Sequence, residues 1–153
     1  MKKIYLLIPV FLLLLSGCGN GDERTPEDQA LIDAEGIHIE GAWARPGSEG
    51  RMSAAYFLIT NFDELPDTLL SANSSIAQLT EIHESYERED DMIGMREVGS
   101  VEIPAESTVR FEQGGLHIML IQLTEALTDG DSFELTLEFA GHGEIVIDVP
   151  VRL

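Results

Sequence analysis

The chain is 153 residues long, with 28 Asp and Glu against 9 Lys and Arg, a formal net charge of −19 and one cysteine. So acidic a surface repels nucleic-acid phosphates and anionic head groups, which argues against a phosphate-binding role. One cysteine excludes an intramolecular disulfide and any Cys-x-x-Cys redox pair.

The N-terminus has the layout of a secretory signal: Lys2-Lys3 is a positive start, and an apolar run from Ile4 to Leu15 leads into Leu15-Ser16-Gly17-Cys18. The run is shorter than the ~20 residues a spanning helix needs, and Pro9 interrupts it. Leu-Ser-Gly-Cys resembles the lipobox of bacterial lipoproteins. The resemblance implies cleavage after residue 17, lipidation of Cys18 and an extracytoplasmic protein anchored to the cell membrane, on its periplasmic or outer face. A lipidated Cys18 leaves no thiolate for a blue-copper centre. Without residues 1–17 the chain keeps 7 Arg, no Lys and all 28 carboxylates, a balance of −21. That excess reads as a device for solubility rather than as a metal site.

Residues 18–35 are polar and acidic, as expected of a tether between lipid and the first packed element. Residues 36–153 have the length of one domain with one core. Alternating and β-branched segments predict strands near 37–43, 53–61, 67–73, 78–86, 92–98, 107–112, 116–123, 132–140 and 144–151. Turn residues lie between them, among them Pro46-Gly47, Asn61 to Pro66, Gly114-Gly115 and Gly141-His142-Gly143. The alternation is plainest where Phe133, Leu135, Leu137 and Phe139 share one face and Glu134, Thr136 and Glu138 the other. Eight or nine short strands imply an all-β Greek-key sandwich or small barrel, with room for a short helical turn at Thr124 to Leu127.

Four side chains carry the chemistry. In the predicted strand around Leu116 to Leu120, His117 and Met119 share a face, because residues two apart in a strand point the same way. A hairpin turning through Glu87 to Asp91, centred on Glu89, places His83 across from Met95, with Cβ atoms ~5 Å apart. Two imidazoles and two thioethers form a soft, neutral donor set, which suits Cu(I) and not Mg, Ca or Mn.

Other candidates fare worse. Met92 has the opposite parity to Met95 and reaches the ion only if Gly94 introduces a bulge. Met52 precedes a core strand and is expected to pack. His142 reads as an exposed turn residue, and His38 as solvent-facing or satisfied by its surroundings. Trp43, Tyr56 and Phe57 are aromatics of the sort that fill a β core. Glu84 has the wrong parity and a hard oxygen donor.

His83, Met95 twelve positions on, His117 twenty-two further and Met119 two beyond match the motif of the periplasmic copper(I) chaperones of PCuAC type. Ala42-Trp43-Ala44-Arg45-Pro46, Ala54-Ala55-Tyr56-Phe57, Met95-Arg96 and Gly114 to Leu120 add to the likeness, which covers about residues 36–151. The family resemblance implies a cupredoxin-like Greek-key β-barrel, Cu(I) as cargo, and delivery to the copper site of cytochrome c oxidase subunit II, with a Sco-type protein as a further partner. Some members carry a methionine where this chain has Glu84. Copper sequestration, or a metal-free envelope interaction module, remains open from the residues alone. No Ser-His-Asp order and no His-Glu-x-x-His motif argue for an enzyme.

Overall fold

The computed structural model describes residues 35–88 and 92–153, and the signal segment, Cys18 and the tether lie outside these residues. Among the described residues ten strands follow in order: β1 (Ile37–Ala44), β2 (Ser53–Asn61), β3 (Asp67–Asn73), β4 (Ala77–Glu87), β5 (Ile93–Glu97), β6 (Val101–Ile103), β7 (Ser107–Phe111), β8 (Leu116–Leu123), β9 (Ser132–Phe139) and β10 (Gly143–Pro150). They form a six-stranded sheet, β1-β2-β7-β8-β4-β5, and a four-stranded sheet, β10-β9-β3-β6. The architecture is all-β, as expected, with one strand more than the nine anticipated. The addition, β6, has only three residues, too few to display a period. It pairs with β3 from Asp67↔Ile103 to Leu69↔Val101 and closes that sheet's edge.

The core lies between the sheets. Ala55, Phe57, Ile59, Ile82, Phe111, Ile118 and Leu120 come from the larger sheet, and Leu69, Ile103, Phe133, Leu135, Leu137, Phe139 and Val149 from the smaller. Phe57 stacks on Phe111 with ring centroids 4.7 Å apart. Burial at every second position of β2 and β9 is the period-2 signature of strands with one face inward.

The segment 124–127 forms no helical turn. Gly47 and Leu127 instead exchange backbone hydrogen bonds of 3.0 and 2.8 Å, and Leu127 is buried in the core. Leu127 N–H, which would close such a turn, is committed to Gly47 O instead. The same exchange pins the β1–β2 connection to the body of the domain, reinforced by Gly50 N–H donating to Leu123 O at 2.8 Å.

Trp43 and Tyr56 lie outside the core between the sheets, although Tyr56 is buried at 6% exposure, and strand parity explains both positions. In β2 the odd positions 55, 57 and 59 face the core, so Tyr56 faces the other way. In β1 the partners change from Glu40↔Leu58 to Trp43↔Tyr56, which inserts one extra residue, and Gly41 there has φ +62°. This bulge inverts the alternation, so Ala42 and Ala44 turn inward after Ile37 and Ile39. Trp43 is thereby sent to the outer face, 4.7 Å from the Tyr56 ring and with the Arg152 guanidinium 5.1 Å above it.

Candidate metal centre

All four sequence-selected side chains lie on the outer face of the six-stranded sheet, contributed by β4, β5 and β8. In β8, Ile118 and Leu120 fill the core, which turns His117 and Met119 outward. β4 runs antiparallel to β8 with His83 directly opposite His117 and Glu81 opposite Met119. The imidazole centroids of His83 and His117 are 5.9 Å apart.

The hairpin register differs from the sequence expectation. His83 pairs with Glu97, and Met95 pairs with Ser85. Each partner is thus displaced by two from the expected pairing. A shift of two preserves parity, so Met95 stays on the face of His83 but is its diagonal neighbour, a Cα separation of ~7–8 Å. This register sets Gly94 across from Tyr86, whose ring lies over it; a Cβ on Gly94 would sit 2.8 Å from the ring. Pairing is continuous from Ile93 to Glu97, so Gly94 makes no bulge. Met92, 58% exposed, stands before the strand and does not line the site.

Hydrogen bonding prepares one nitrogen of each imidazole. His117 is 4% exposed, and its Nδ1 lies 3.1 Å from Gly115 O, a carbonyl that can only accept. Nδ1 therefore carries the proton, and Nε2 keeps its lone pair. His83 has the opposite arrangement: Nε2 is 2.7 Å from Glu81 Oε2, while Nδ1 is buried without a hydrogen-bond partner. A buried, unpaired nitrogen is costly in a folded protein unless something else takes its lone pair. Among the described residues no group of three or more His, Cys, Asp and Glu could hold a metal ion. An ion held here needs the thioethers.

Met95, His117 and Met119 line one cavity of about 420 Å³, with Tyr56 in its wall, 6.4 Å from His117 between ring centroids. His83 is not among the lining residues; its ring centroid lies 5.9 Å from that of His117, which does line the cavity. Met52 lines the cavity as well and is 61% exposed, so it does not pack as expected. The signal for it lay in parity: positions 52, 54 and 56 share a face, and Ala54 is paired with Met119. Glu81 was likewise overlooked, although it lies two residues from His83 on the same face.

The remaining candidates lie elsewhere. Glu84 points off the site and is bound by Arg96 at 2.7 Å. His38 packs edge-on against Phe62 at 4.9 Å, with Nε2 3.1 Å from Glu35 O. His142 is more than an exposed turn residue. Its Nδ1 is 2.6 Å from Asp67 Oδ2 and its Nε2 3.0 Å from Asp63 Oδ2, clasping the β9–β10 turn to the β2–β3 connection.

Comparison with known proteins agrees with this architecture. A copper-bound PCuAC domain from PmoF2 is 28% identical, over 78% of this chain and 95% of that one, with a TM-score of 0.64. An apo PCuAC domain from PmoF1 is 25% identical over the same shares, with a TM-score of 0.66. CuI-DR1885 from Deinococcus radiodurans, 21% identical with a TM-score of 0.59 over 84% of this chain and 94% of its own, shares the fold. A relative in Leifsonia xyli subsp. xyli, "Putative lipoprotein Lxx21020", is 29% identical over 95% of this chain and 86% of its own length. The family described as "Putative lipoprotein LpqE-like" matches residues 37–151. The chain belongs to this LpqE-like family and carries it on the cupredoxin-like β-sandwich of PCuAC domains.

Proposed function

We propose that this protein is an extracytoplasmic copper carrier that binds one Cu(I) through His83, Met95, His117 and Met119 and passes it to an acceptor protein. The observation that carries this reading is the pair of opposed imidazoles: His83 Nδ1 is buried and unpartnered, and His117 commits Nδ1 to Gly115 O and leaves Nε2 for an ion, on a face shared with two thioethers. The likeness to a copper-bound PCuAC domain supports it.

The donor chemistry suits a carrier better than a store. Two imidazoles and two thioethers leave the ion's charge unneutralised and bind it less tightly than a thiolate pair would. Copper then passes downhill to a cysteine-bearing acceptor by stepwise ligand exchange in a docked complex. Met95, 57% exposed, is the donor an acceptor reaches first, while His117 is 4% exposed and lets go late. The copper site of cytochrome c oxidase subunit II, with a Sco-type partner, is the destination that the PCuAC resemblance implies.

Residues 1–17 act in this reading as a lipoprotein signal peptide, Cys18 bears the lipid, residues 18–35 link it to the copper domain at 36–153, and no reaction is catalysed. Membrane attachment raises the effective concentration of carrier near a membrane-bound acceptor. The test is X-ray absorption on protein loaded with one equivalent of Cu(I) in reductant. Nitrogen and sulfur scatterers are expected, and His83→Ala or Met119→Ala is expected to weaken retention against a competing chelator. A shell of oxygen alone, or wild-type retention in both variants, overturns the assignment.

A further inference from the structure

We propose that Met52 is a third thioether for the ion, alternating with Met95 as the solvent-side sulfur ligand. The inference rests on the copper reading above and adds a residue that the four-ligand motif does not contain.

Placement carries the argument. Of the four methionines among the described residues, Met52, Met95 and Met119 line one cavity with His117, and Met92 stands outside it. Ser53 and Ala54 pair with Leu120 and Met119, so Met52 continues β2 on the cavity face, one diagonal step from Met119. The residue between Met52 and Tyr56 on that face is Ala54, whose single methyl leaves the space open. Met52 is also held in place from behind. Leu123 N–H donates to Arg51 O at 2.9 Å, and Gly50 N–H donates to Leu123 O at 2.8 Å.

Met52 and Met95 are about equally exposed, at 61% and 57%, and reach the cavity from different strands: Met52 from the β2 side of β8, Met95 from β5 beyond β4. Two imidazoles and three thioethers are one donor more than a four-coordinate Cu(I) takes. One exposed sulfur can therefore leave while the other holds the ion, which opens a coordination position for an incoming acceptor ligand without releasing copper to water. An unbranched, three-torsion side chain ending in a soft sulfur suits that exchange.

The test uses the full chain with 13C in the methionine methyl groups, assigned by single Met→Leu variants and titrated with Cu(I) in reductant. The Met52, Met95 and Met119 methyl signals are expected to move together and saturate at one equivalent, with Met92 unmoved. Met52→Leu is expected to speed release to excess chelator by roughly fivefold, the scale of one weak donor. If Met95 and Met119 move while Met52 stays with Met92, or if Met52→Leu releases copper at the wild-type rate, the third thioether is refuted and the four-ligand site stands. If neither Met95 nor Met119 moves, the copper reading itself fails and takes the proposal with it.

Discussion

Glu81 Oε2 lies 2.7 Å from His83 Nε2, and this contact decides which nitrogen of His83 faces inward. The carboxylate accepts from Nε2–H, fixing the ring and leaving Nδ1 as the free donor atom. Removing the partner of a ligating imidazole costs ~10–100-fold in metal affinity in comparable sites. Glu81→Ala is thus expected to lower Cu(I) affinity on that scale in chelator competition, and Glu81→Gln, which can still accept a hydrogen bond, less so. Unchanged affinity in Glu81→Ala would show that His83 needs no orienting partner.

Ile118 and Met119 are adjacent in β8 and face opposite ways, so their truncations separate stability from binding. Ile118 is fully buried between the sheets, and Ile118→Ala is expected to cost ~2–5 kcal/mol of unfolding free energy. Met119 is half-buried on the outer face, and Met119→Ala is expected to cost less than Ile118→Ala in stability while weakening copper retention. Denaturant melts paired with copper titrations of the folded fraction check both; an equal stability loss would contradict the assigned faces.

The His142 clasp makes stability depend on pH. The hydrogen bond that His142 donates to Asp67 holds its imidazole above the ordinary value of 6.5, against burial, with the charges of Asp67 and Asp63 adding to the rise. Burial pushes the Asp67 carboxyl up, but hydrogen bonds from His142, Thr68 N–H and Gly141 N–H outweigh it and hold it below its ordinary 3.8. The raised imidazole contributes fully below pH 6.5 and loses its contribution as pH rises through its folded value. The lowered carboxyl contributes above pH 3.8 and loses its contribution as pH falls through its own. The melting-temperature gap between wild type and His142→Asn is therefore expected to be widest between these limits and to narrow above pH 6.5. A gap independent of pH across that range would rule out the ion pair as its source.

Gly47 is a close-approach position. A Cβ there would meet Leu123 Cδ1 at 2.7 Å, and Leu123 is 2% exposed, so the core must give way. Gly47→Ala is expected to destabilise by ~1–3 kcal/mol in thermal or denaturant unfolding. Wild-type stability would mean that the connection before Met52 yields freely.

Much of the fold was legible because strands with one buried face write that face into every second residue. Phe133, Leu135, Leu137 and Phe139 are all core residues, and nine of the ten strands were placed from such patterns and from the turns between them. The same parity put His117 and Met119 outward, and His83 and Met95 on one face. What alternation within a segment does not contain is pairing between segments. The hairpin register sets Tyr86 over Gly94, a pairing across two strands, and the reversal of Trp43 comes with an extra residue in β1 relative to β2.

By itself, the order of residues determined nine of the ten strands among the described residues, the acidic composition, the single cysteine and the presence of soft His and Met side chains, because these depend on local periodicity and composition. Tertiary structure alone decided that His83 lies opposite His117 on one side and opposite Glu97, not Met95, on the other, that Glu81 leaves Nδ1 of His83 unpaired, and that Met52 shares a cavity with Met95 and Met119. The physical reason is that each of these depends on how β2, β4, β5 and β8 slide against one another. That registry is selected by the packing of the whole sandwich, and no one strand encodes it alone.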